Sequence, residues 1–167
     1  MSNSYNAVID QALSLLQETS TLEYQKVLQP HFSGSIGAHI RHVVDHFLAL
    51  KNGLDKGHID YNVRHRHNTV EQFPEAAIEA LVGIKKWLLS LNTEACAEVI
   101  LVTSEIDIQD TKSATCTSTV ERELVFVSSH AIHHYALIRI ICSMQNKTPP
   151  DIFGYAPATI THINRSA

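Results

Sequence analysis

Apolar positions recur at threes and fours over four stretches of this chain, the spacing of helices with one buried face. Val8, Ile9, Ala12, Leu15, Leu16 and Leu22 predict a first helix over residues 4–28, stopped near Pro30. Ile36, Ile40, Val43, Phe47 and Leu54 predict a second helix, capped by Ser35 and running to about Asp55. Ile78, Leu81, Val82, Ile84, Trp87, Leu88 and Leu91 predict a third, from Pro74 to Leu91. The fourth opens on Ser118-Thr119-Val120-Glu121, which reads as a capping box, and runs to about Gln145, where Pro149-Pro150 forbids extension.

Between the third and fourth stretches the pattern changes. Residues 97–119 are rich in Val, Ile and Thr, and they predict a β-hairpin of Glu98–Ser104 and Lys112–Thr117 turning at 107–110. The tail Phe153-Gly154-Tyr155 is expected to pack its aromatics on the helices. No repeat, low-complexity run or linker divides the chain, so 1–167 reads as one domain: an all-α four-helix bundle with a short β-hairpin inserted before the last long helix.

Charge and composition exclude more than they assign. The formal net charge is −4 with no basic stripe, which argues against nucleic acid as a partner. No apolar run suggests a membrane span, and the first residues lack the pattern of a signal peptide. Three widely spaced cysteines without a Cys-x-x-Cys make no disulfide framework, and a cytoplasmic setting is expected.

Histidine is the unusual residue. Of the eleven, six fall in two helical segments. His130 and His134 lie one turn apart on the apolar face of the last helix, where two imidazoles need a shared partner. A divalent metal ion suits that spacing. His39, His42 and His46, at i, i+3 and i+7, form a ridge beside the apolar stripe of the second helix. One ligand from that ridge and two from the last helix would make a three-histidine site with open coordination positions. Glu123 lies seven residues before His130 on nearly the same face, a candidate acid, base or hydrogen-bond acceptor, and equally an ordinary first-turn glutamate. Arg64 and Arg66 form the local positive cluster of a polar loop and are candidates for holding a substrate carboxylate. Arg41 and Asp45 read as a solvated ion pair, and His133 as a structural hydrogen-bonding residue.

Two segments resemble the DinB/YfiT-like metal-binding four-helix bundles. Ser35-Ile36-Gly37-Ala38-His39-Ile40-Arg41-His42 is similar to that family's second-helix motif, and His130-Ala131-Ile132-His133-His134 to its last-helix motif. The resemblance implies His42, His130 and His134 as metal ligands; it does not require His39 and His46, which are additional candidates for orienting the site, for an alternative ligand or for plain surface positions. Three imidazoles with open positions suit zinc, nickel or iron as the cofactor, and the resemblance also implies a homodimer and a thiol-dependent transferase or isomerase acting on a small molecule, with a low-molecular-weight thiol as co-substrate. A hydrolase would need the same residues. A non-catalytic metal-binding or stress-associated protein is the competing expectation.

Overall fold

The computed structural model describes residues 2–63, 65 and 68–166. The chain is mostly helical and carries one small three-stranded mixed sheet. The first predicted helix is two: α1, Ser2–Gln17, and α2, Thr21–Gln25. Thr19 turns its hydroxyl back onto the Leu15 carbonyl, and Ser20 starts α2 afresh in a capping box with Glu23. That local chemistry outweighs the continuing apolar period.

Helix α3, Ile36–Leu54, begins where the Ser35 side chain accepts the Ala38 N–H at 3.1 Å. Its Gly37 is a packing requirement. A Cβ there would meet the Glu71 carbonyl and come within 2.8 Å of the Tyr24 ring. Strand β1, His58–Asp60, and the short α4, Thr69–Gln72, follow. Then α5, Pro74–Ser90, has Pro74 at its first turn, as the sequence predicts, and α6 covers Thr93–Ala97.

The expected hairpin forms from β2, Val99–Glu105, and β3, Ser113–Thr119, paired antiparallel. It belongs to a wider sheet, because β1 joins β2 in parallel with Ile59 opposite Val102. The all-α expectation is corrected on this point. A three-residue strand inside a polar loop leaves little periodic trace, and it forms because Ile59 is wholly buried there.

Helix α7, Val120–Met144, is capped by Thr119, whose side chain accepts from Arg122 N, rather than by Ser118. It is long and apolar enough to cross a bilayer by length and composition. Here its apolar face packs on α1 and α3. The four longest helices thus share one core: α1 contacts α5 and α7, and α3 contacts α5 and α7. Ile9, Leu15, Ile40, Phe47, Leu81, Val127 and Ile138 fill it with almost no exposure. Phe153 docks its ring 5.0 Å from that of Tyr135, as expected for the tail, and α8, Pro157–Ser166, closes the described chain.

Candidate metal centre

Helices α3 and α7 lie side by side and run in opposite senses, since His39 faces His134 while His42 faces His130. The two histidine-bearing faces therefore meet along their length. His42 Nε2 stands 2.9 Å from His130 Nε2. One nitrogen from each of His42, His46 and His130 lies within 4.8 Å of the others, a group that can hold a metal ion. His46 Nδ1 bonds the His42 carbonyl at 3.0 Å, which orients the ring. This is the usual way a backbone carbonyl fixes the tautomer of a ligating imidazole.

The sequence reading takes His134 as the third ligand. In the structure His46 completes the three-histidine group. The ring of His134 is still close, 4.5 Å from that of His42 and 4.6 Å from that of His130, while its Nδ1 meets His39 Nδ1 at 2.9 Å. His39 and His46, set beside the site by the sequence, thus divide: one joins the group and the other pairs with His134. The signal for His46 is present in the sequence, since His42 and His46 repeat the i, i+4 spacing of His130 and His134. Choosing between the two pairs requires the offset of α3 against α7, a tertiary quantity.

The surroundings favour neutral imidazole. Burial first, then the neighbouring His130, His39 and His133 rings, push His134 down to about 3. Burial, followed by His133 and Arg41, lowers His39 as well. A cation therefore meets little competition from protons at these two rings. His133 is exposed, with its ring against His134 and His130. An open pocket of about 470 Å³ leads to the site, lined by Phe32, Gly34, Ala38, His39, His42, His134 and Leu137 among others.

Glu123 takes a different place from the one its spacing suggested. It is fully buried, and both oxygens are engaged: Tyr61 Oη donates to Oε2 at 2.8 Å, and Ser118 and Arg122 donate to Oε1 at 2.6 and 2.7 Å. Tyr61 in turn stacks on His46, with centroids 5.3 Å apart and planes 17° apart. Burial and the adjacent carboxylate raise the Tyr61 phenol well above its ordinary value, so it stays a hydrogen-bond donor. Glu123 thus holds the residue that backs His46, one step removed from the pocket.

Arg41 and Asp45, expected as a solvated pair, are buried. Arg41 Nη1 meets Asp45 Oδ2 at 3.0 Å, Arg41 Nε meets Glu71 Oε2 at 3.2 Å, and His65 Nδ1 meets Asp45 Oδ1 at 2.9 Å. His65 and Glu71 of α4 thus cover a face that helical periodicity alone leaves in solvent. Arg64 and Arg66, the candidates for a substrate carboxylate, lie outside the described residues.

Comparison with known proteins gives one distant relation. Over 107 residues, 64% of this chain, the sequence is 33% identical to a protein of Rhizopus delemar called FK506-binding protein 5. The chain spans 28% of that relative's length. No family model matches, and no solved structure matches. The resemblance to DinB/YfiT-like proteins is therefore overturned, since no family model supports it and the named relative points elsewhere. Two of the residues in the motifs that suggested it have structural causes: Ser35 caps α3, and Gly37 makes room for Glu71 and Tyr24.

Proposed function

We propose that this protein binds a divalent transition metal through His42, His46 and His130, and that the bound ion acts on a small molecule in the adjoining pocket. The observation that carries this reading is the convergence of three imidazoles from two helices within 4.8 Å. Imidazole suits zinc, nickel and iron, and three protein ligands leave positions open. A bound ion supplies a lowered pKa to a water or a thiol that enters an open position. Hydrolysis and thiol transfer or isomerisation with a low-molecular-weight thiol both fall within that chemistry. The chain's own part is to present the nitrogens and to orient His46 through the His42 carbonyl and the Tyr61 ring. Phe32 and Leu137 offer an apolar wall, with the His39 and His134 rings beside it. In this reading α1, α3, α5 and α7 form a four-helix bundle whose purpose is to fix that geometry.

A second reading, a metal-binding or stress-associated protein without turnover, is favoured by one observation. Glu123, the carboxylate nominated as acid or base, is wholly enclosed and already accepts from three donors.

Elemental analysis of purified wild type, His46→Ala and His130→Ala tests the site. Metal in wild type and a lower content in both variants is expected, while equal content in all three refutes the proposal. Turnover of thiol-plus-electrophile and ester panels by the loaded protein, abolished in His130→Ala, separates the enzyme from the binding-only protein.

A further inference from the structure

Helices α3 and α7 bring together a second pair of imidazole nitrogens with the same spacing as the first. His39 Nδ1 and His134 Nδ1 are 2.9 Å apart, as are His42 Nε2 and His130 Nε2. An ion bonded at about 2.1 Å to each of two nitrogens so spaced sees them at roughly 90°. That is the angle between adjacent ligands of an octahedral ion. Each pair takes one ring from each helix, and the second lies about one turn further along the same seam. It opens on the pocket, where His31 adds a third imidazole to the same lining. The two pairs adjoin, since the His134 ring lies 4.5 Å from the His42 ring and 4.6 Å from the His130 ring.

We propose that His39 and His134 hold a second divalent ion beside the first, making a two-metal site that faces the pocket. This inference rests on the reading of the first site given above. Two cations held by neutral imidazoles carry positive charge that no ligating carboxylate offsets. The bridging partner they select is accordingly an oxygen anion, either hydroxide or the carboxylate or phosphate of a substrate. Two-metal sites clamp such oxygens with ions about 3.5–4 Å apart.

The test uses the full chain stripped with a chelator and dialysed against Ni(II), with bound metal read by elemental analysis. Wild type is expected to hold two ions, and His39→Ala, His39→Gln and a His42→Ala/His130→Ala double variant about one each, with circular dichroism melts checking that every variant is folded. Loading with two equivalents of Cu(II) should give an electron paramagnetic resonance signal broadened by coupling between ions, absent in His39→Gln. One ion in wild type, still one in both His39 variants and none in the His42→Ala/His130→Ala double variant, would overturn the second position and leave the first standing. In that event His39 and His134 only share a hydrogen bond. No ion in wild type would overturn both.

Discussion

The Tyr61 hydroxyl donates to Glu123 at 2.8 Å while its ring lies flat on His46, so one side chain ties the first turn of α7 to the histidine ridge of α3. Tyr61→Phe keeps the stacked ring and removes the donor from a buried carboxylate. A hydrogen bond to a charged group is worth about 1.5–3 kcal/mol. Urea unfolding should show a loss of that size, with metal content unchanged because the ring still backs His46. Tyr61→Ala removes both functions and should lower metal affinity as well as stability. If Tyr61→Phe alone abolished metal binding, the phenol would have to act at the ion itself.

The ion pair of Arg41 and Asp45 is the second place where burial changes the energetics. Side-chain exposure of 10% and 3% takes it out of the class of surface bridges worth less than about 1 kcal/mol. Removing one partner from a buried pair costs about 3–5 kcal/mol because the other is left uncompensated. Asp45→Ala should fall near the lower end of that range, since Arg41 keeps Glu71. His65 loses its Asp45 contact in the same variant. The comparison is an unfolding free energy against Lys85→Ala, which breaks the more exposed pair with Asp10 and should cost well under 1 kcal/mol.

How far the sequence discloses this molecule depends on the range of the interactions that decide each feature. Ser35 as the cap of α3, Pro74 opening α5 and the β2–β3 hairpin are settled within a few residues, and periodicity and turn chemistry reveal them. The break at Ser20 is equally local, but a continuing apolar stripe masks it. The pairing of β1 with β2 joins residues more than forty apart, and Ile59 alone hints at it. At the site, the histidine ridge of α3 and the pair on α7 are plain in the sequence. Which ring faces which depends on how α3 slides against α7. Glu123 illustrates the same limit: its helical face was readable, but the enclosure by Tyr61, just after β1, and by Ser118 on β3 was not.

Gly37 offers a test of the packing that fixes that slide. It is buried under α4, and an added methyl group has no room between the Glu71 carbonyl and the Tyr24 ring. Overpacking of this kind costs about 1–3 kcal/mol where neighbours can yield, and backbone yields least. Gly37→Ala should therefore lose at least 2 kcal/mol of stability, on the order of the upper half of that range. Gly83→Ala is the control, because nothing lies within 4 Å of its added carbon and helix propensity favours Ala. Thermal melts should move down for the first and slightly up for the second.

The cysteines separate by accessibility. Cys116 is exposed on β3, Cys96 is half-buried, and Cys142 has no exposure, with burial as the main cause raising its thiol above the ordinary value. Thiolate is the reactive form, so both access and ionisation protect Cys142. Under native conditions Ellman's reagent should titrate Cys116 first and Cys96 more slowly, leaving Cys142 to react only at the rate of unfolding.

Metal should stabilise the fold by mass action. An ion that binds the folded chain and not the unfolded one adds about 2.7 kcal/mol at a hundred times its dissociation constant. Because the ligands come from α3 and α7, which share the core, the gain should appear as a shift of the whole cooperative transition rather than of one local opening. Adding Ni(II) or Zn(II) to metal-stripped wild type should raise the midpoint in proportion to the logarithm of free metal. His130→Ala takes away the α7 contribution to the three-histidine group and should flatten that dependence, leaving the metal-free midpoint nearly unchanged because His130 is only partly buried. A slope as steep in His130→Ala as in wild type would mean that the stabilising ion sits elsewhere on the molecule.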